Sequence, residues 1–159
     1  VVRDYIVLCH GWPPAVRRKM RARVAWRDGA TDLSRVCKEG RPCDLEVEVL
    51  AHAVRRGRAL ALAFFRIGTG RRHQIRVQSA HVGHATVADS RYAAQLLFWD
   101  DAAWCPSNFL HRHRLVFLDA AGREQEALEP LPGELAGALA QLRPRDAAAA
   151  ARLRRWLPA

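Results

Sequence analysis

The run Asp44-Leu45-Glu46-Val47-Glu48-Val49-Leu50 alternates polar and apolar residues, and after the break Arg55-Arg56-Gly57-Arg58 the apolar stretch Ala59 to Ile67 follows. A period of two puts one face of the first segment in a core, as in a half-buried strand. The second segment is apolar through its centre and reads as a strand buried on both faces. With an arginine-rich, glycine-containing turn between them, the two predict an antiparallel hairpin.

Working outward, Tyr5 to Cys9 is rich in β-formers and stops at His10-Gly11-Trp12-Pro13-Pro14, a strand ended by a turn. Arg17 to Arg27 carries five arginines and Lys19. Its spacing sets no single charged face, so it reads as a solvated connection. Downstream, Gly68-Thr69-Gly70 breaks the second hairpin strand, and His73 to His81 predicts a short helix with Gly83 as its C-terminal stop. Thr86 to Tyr92 reads as extended, and a loop with Trp99, Trp104 and Pro106 leads to a strand over Arg114 to Leu118. A turn at Ala121-Gly122 gives a further strand over Glu124 to Leu128. Pro130-Leu131-Pro132 closes the sheet region, Gly133 to Leu142 predicts a helix, and Arg145 to Trp156 a basic, alanine-rich helical tail after Pro144. Strands outnumber helices, which predicts an α+β domain on a mixed or antiparallel sheet. The expected division is a domain over 1–142 and a tail over 143–159.

Charge points to a polyanionic partner. Among 159 residues, Lys and Arg outnumber Asp and Glu 26 to 16, for a formal charge of +10 and a pI near 10.8. Such a field draws nucleic acid. Cys9, Cys37, Cys43 and Cys105 lack the paired spacing of a zinc knuckle or redox motif, so reduced thiols and no metal site are expected. No apolar stretch approaches the roughly 20 residues that cross a bilayer as a helix, and the first residues lack a signal-peptide pattern. A soluble, intracellular monomer is the expectation. The compartment stays open between cytoplasm, nucleus and organelle.

The residues that carry chemistry are concentrated in Gly68-Thr69-Gly70-Arg71-Arg72-His73-Gln74-Ile75-Arg76, continuing through Ala80-His81-Val82-Gly83-His84 to Asp89 and Tyr92. A glycine turn leading arginines and amides to a helix N-terminus favours phosphate or carboxylate. Arg72 and Arg76, four apart, share a helix face. The competing interpretation is a solvated basic helix beside a tight turn.

This run resembles the signature of the RluA-type pseudouridine synthases. Arg3-Asp4-Tyr5 is similar to the family's Lys-x-Tyr segment, Phe109-Leu110-His111 to its Leu-His step, and Leu128 to Leu135 to its Ala-Pro-Leu-Pro ending. The resemblance covers about residues 1–142 and implies the C-terminal part of a pseudouridine synthase catalytic domain. It implies a structured RNA as partner, such as rRNA or tRNA, and isomerisation of a flipped-out uridine to pseudouridine. That chemistry requires neither metal nor organic cofactor. By match, Arg76 pairs with the reacting carboxylate, Tyr5 packs on the target base and Ile75 lines the pocket floor. Arg71 and Arg72 are read as touching RNA phosphate. His73 and Gln74 complete the RNA-facing set, with hydrogen bonds to the turn's own backbone as their first task.

Two small departures are Arg3 in place of lysine and Ala85 in place of the proline after Gly-His. The large one is that no His-Arg-Leu-Asp run, which bears the family's essential aspartate, occurs in the chain. The expectation is a piece of an active isomerase whose aspartate lies before Val1, inactive by itself. The alternative is an inactive RNA-binding module of the same fold.

Overall fold

The computed structural model describes residues 1–26 and 33–158. Its elements run β1 (Val2–His10), β2 (Arg18–Trp26), β3 (Ser34–Val36), β4 (Arg41–Arg55), β5 (Arg58–Ile67), α1 (Gln74–His81), α2 (Gln95–Ala102), β6 (Leu110–Leu118), β7 (Glu124–Leu128), α3 (Gly133–Leu139), β8 (Arg143–Pro144) and α4 (Ala147–Arg154). The strands form one sheet in the order β3-β2-β4-β5-β1-β6-β7, with β8 added beside β4. Every pairing is antiparallel. Of the two sheet types expected, the antiparallel one is present.

The hairpin at its centre forms as its alternation predicts. Arg56 (φ 46°) and Gly57 (φ 77°) both adopt positive φ, and Arg55 pairs directly with Arg58. Such a two-residue connection matches the twist of the strands it joins. β4 also continues past Leu50, where the sequence pattern fades. The register against β5 skips between Val49 and Ala51, so one extra residue inverts the alternation. Before the bulge, Leu45 and Val47 pack with Ile75 of α1. After it, Ala51 and Ala53 pack with Leu135 and Leu139 of α3 and Ala149 and Leu153 of α4 on the opposite face. One strand thereby serves both cores, and β1 does the same with Val7 on the α1 face and Ile6 and Leu8 on the other.

Three expectations change. Arg17 to Arg27 is not a solvated connection: Arg18–Trp26 is a strand paired with both β3 and β4, while Arg27 lies outside the described residues. Met20, Ala22 and Val24 face inward there while Lys19, Arg21 and Arg23 face water. The small Ala22 hides that alternation in the sequence. Thr86 to Tyr92 is not a strand; Thr86 makes a single bridge to Cys9 and Ala88 turns the chain at φ 56°. The segment read as a loop around Trp99 contains α2, whose Asp101 is buried. There the carboxylate accepts from His10 Nε2 at 2.8 Å and from the Ala88 amide at 2.8 Å.

Within the basic C-terminal segment, Ala147–Arg154 is helical. Asp146 caps α4 by accepting from the Ala149 amide at 2.7 Å, which satisfies one of the orphan donors of the first turn. Among the described residues no helix is long and apolar enough to cross a membrane, and no group of three His, Cys, Asp or Glu could hold a metal ion.

Candidate functional site

The turn at residues 68–73 is held from inside by Gln74, which is buried. Its Oε1 accepts from Thr69 Oγ1 at 2.9 Å and from the Arg71 amide at 3.2 Å. Its Nε2 donates to the Asp44 carbonyl of β4 at 2.9 Å. A side chain so enclosed fastens the turn and leaves no surface for a ligand. His73 precedes α1 in the left-handed region at φ 52°, so the helix starts one residue later than the sequence predicts. Its ring Nδ1 lies 2.8 Å from the Tyr92 hydroxyl, and the same hydroxyl accepts from the Ser34 amide at 2.8 Å. Ser34 Oγ donates to the Arg72 carbonyl at 2.6 Å. Tyr92 and Ser34 therefore clamp the turn to β3. Neither was legible as a partner of the turn, because each lies far from it in sequence.

Arg76 projects from α1 onto Asp89. Its Nε donates to Asp89 Oδ2 at 2.8 Å and its Nη2 donates to Oδ1, a bidentate fork. The Arg76 guanidinium also lies 5.2 Å from the Tyr92 ring centroid. Asp89 is fully buried and accepts in addition from Thr86 Oγ1 and from the amides of Arg91 and Tyr92. Burial pushes its carboxyl up, but the bonds from Arg76 and the two amides outweigh burial and hold it below the ordinary carboxylate range. Asp89 raises Arg76 further above its usual value. The pair is thus fixed as an ion pair, with the Nη1 edge of Arg76 making no hydrogen bond among the described residues. Asp89 is the group that orients Arg76.

Ile75, the preceding residue, turns the other way and is buried in the apolar cluster of Val7, Leu45, Phe65 and Ile67. Tyr5 packs on the rim of that same cluster, half-buried. The structure therefore brings Tyr5 and Ile75 together on the α1 face of the sheet. Arg71 and Arg72 stand elsewhere, in the wall of a cavity that contains neither Tyr5, Ile75 nor Arg76. Arg3, two residues before Tyr5 on β1, reaches the turn as well: a side chain at Gly70 would meet its guanidinium at 3.2 Å. The absence of a Cβ at Gly70 is what admits it.

β1 carries a second ionic cluster on its other face. Asp4 is buried and accepts from Arg66 Nε and Nη2 at 2.7 and 2.8 Å and from Arg114 Nη1 at 3.1 Å. Burial raises its carboxyl, and the two arginines more than offset this, so it stays low. Asp4 and Tyr5, adjacent in sequence, face opposite sides.

No family model matches the chain. A stretch of 52 residues, 33% of this chain, is 46% identical to part of a MATH and LRR domain-containing protein of Plasmodium falciparum and covers 0% of it to the nearest per cent. Among solved structures, human RNA pseudouridylate synthase domain containing 1 superposes with a TM-score of 0.76 at 21% identity, over 99% of this chain and 66% of that one. Human RNA pseudouridylate synthase domain containing 4 superposes with a TM-score of 0.65 at 17% identity, over 89% of this chain and 63% of that one. The chain thus spans less than two thirds of either solved protein, and what it shares with them is a pseudouridine synthase-like fold.

Proposed function

We propose that this chain is the substrate-holding part of an RluA-type RNA pseudouridine synthase, which converts uridine to pseudouridine in a structured RNA. The observation that carries this is the arrangement around α1: Ile75 and Tyr5 on one apolar cluster, and, next to Ile75 in the chain but turned the other way, an arginine locked by Asp89 with one guanidinium edge left over. In this reading Tyr5 packs on the flipped-out uracil and Ile75 closes the floor beneath it. The Nη1 edge of Arg76 meets the reacting carboxylate, which the chain does not itself supply at a matching position. Asp89 keeps the fork from swinging away before that carboxylate arrives. The reaction exchanges a nitrogen–carbon bond between base and ribose for a carbon–carbon bond, with no net gain or loss of atoms.

The second reading is an inactive RNA-binding module of the same fold. It is favoured by the fact that Asp89 is the one described carboxylate that hydrogen-bonds Arg76, so the pair is complete as it stands.

Carbodiimide labelling of the RNA, followed by primer extension, separates the two. The chain alone is expected to give no pseudouridine stop. The protein extended by its upstream reading frame is expected to give one, abolished by Arg76→Ala and weakened by Arg76→Lys, which keeps charge without the fork. Conversion by the chain alone would refute the requirement for an outside carboxylate. A silent extended protein that still binds RNA would establish the module instead.

A further inference from the structure

Outside the α1 site, a cavity of about 620 Å³ lies between the end of β2, the β3–β4 connection and the 70–72 turn. Its size falls within the roughly 300–1,000 Å³ of sites that enclose small ligands. Among the described residues, Arg35, Arg41, Arg71 and Arg72 line it together with Glu39. The guanidinium of Arg72 lies 4.8 Å from the ring centroid of Trp26, which forms part of the wall. Arg71 Nη2 touches the Pro42 carbonyl at 3.4 Å, and Arg71 Nε is buried without a hydrogen-bond partner among the described residues.

Guanidinium groups gathered on a concave wall attract an anionic ligand. The Arg72 backbone is tied to β3 by Ser34, and Arg71 to β4 through Pro42. Gly40 lets the β3–β4 connection sit directly on β2, where a Cβ would come within 2.6 Å of the Val24 backbone. Arginine forks suit phosphate oxygens, and an aromatic ring capped by a guanidinium offers a stacking surface to a base. Phosphate-binding and base-stacking groups in one cavity fit a nucleotide unit better than a free anion, which has no use for Trp26.

We infer that this cavity holds one nucleotide of the RNA next to the target, its phosphate on Arg35, Arg41 and Arg71 and its base extending the Trp26–Arg72 stack. The inference rests on the RNA reading above but names a position distinct from that of the uridine. The cavity grips the strand by its backbone while Tyr5 and Ile75 receive the target base. Because β2, β3 and the turn all contribute, occupation of the cavity also fixes the turn from which α1 and Arg76 start.

The test measures binding of a fluorescein-labelled stem-loop RNA by anisotropy across a salt series. It compares the parent chain with Arg35→Ala/Arg41→Ala and with the tail variant Arg154→Ala/Arg155→Ala, which has the same net charge. Loss of the one phosphate contact should lower the slope of log affinity against log salt by about 0.7 to 0.9 in the first variant only. Arg35→Lys/Arg41→Lys, a safeguard should the alanine variant fold poorly, should keep the slope and lose about tenfold in affinity. Trp26→Ala should cost about tenfold at all salt concentrations, and Trp26→Phe much less. Equal slopes for the cavity and tail variants, with the parent binding well, would overturn the cavity and leave the RNA reading standing. No binding by the parent would overturn both. Displacement of the RNA by AMP at equal concentration would show a site for free nucleotide and would also overturn the inference.

Discussion

Replacing Asp89 by asparagine tests the site's central claim, that a buried carboxylate holds Arg76. Two oxygens of Asp89 receive five donors: Arg76 Nε and Thr86 Oγ1 on one, and Arg76 Nη2 with the amides of Arg91 and Tyr92 on the other. An asparagine offers one oxygen, so its amide nitrogen confronts at least one fixed donor, Arg76 Nε, that cannot be satisfied, even if the Thr86 hydroxyl turns to accept. The Arg76 side chain, 16% exposed, would be left a mostly buried cation without its partner. Removing one member of a buried pair costs about 3–5 kcal/mol, and the residual exposure places this case near the lower end, about 3 kcal/mol. For a chain of 159 residues that corresponds to a fall in Tm of about 6–12 °C.

The assay is calorimetry of the parent, Asp89→Asn, Arg76→Met and the double variant between pH 7 and pH 3. Since the carboxyl is held low in the folded state, its contribution is present above the unfolded value of about 3.9 and is lost as pH falls through the folded value. The gap between parent and Asp89→Asn should therefore be full at pH 7 and narrow toward pH 3. The double variant should be less destabilised than the two single variants together by about 1 kcal/mol or more. A gap below about 1 kcal/mol at neutral pH, or one that does not change down to pH 3, would refute the argument.

Asp4→Asn should also lower stability, by about 1–3 kcal/mol because its arginines are partly in water, and that loss should likewise shrink in acid; urea melts at two pH values check it. Gly40→Ala should lower Tm sharply and disturb β2 and β3, since its Cβ would lie 2.6 Å from backbone that cannot yield; hydrogen exchange at Val24 reports it. Burial pushes the thiols of Cys9 and Cys105 up to about 12 and about 11, so neither should be alkylated at pH 7 until the protein unfolds, as mass mapping after brief iodoacetamide exposure would reveal.

Much of the sheet could be read directly because its signals are local. The β4–β5 turn, the strand through Tyr5 and the stop at Gly83 each depend on residues within a few positions of one another. β2 escaped because arginines dominate its visible face and Ala22 contributes almost no hydrophobic signal. The second half of β4 escaped because Ala51-His52-Ala53 has weak strand propensity and is stabilised by partners on both faces. At the site, the motif located Arg76 and the turn, but its working contacts are tertiary. The pairing of Arg76 with Asp89 was hidden by the assumption that the arginine awaited a different carboxylate. Ser34 on Tyr92, and His10 on Asp101 across 91 positions, have no signature that a linear pattern can carry.

The opposed neighbours Asp4 and Tyr5 give β1 something like a parity check. A slip by one residue would drive Tyr5 toward Arg66 and Arg114 and turn Asp4, stripped of both cations, onto the apolar cluster of Ile75. Both errors are expensive at once, so the correct offset is verified from two sides of the sheet. A change confined to one side, such as loss of Arg66, would then be felt as a blurred position of Tyr5 on the other, although no atom of the two side chains need touch.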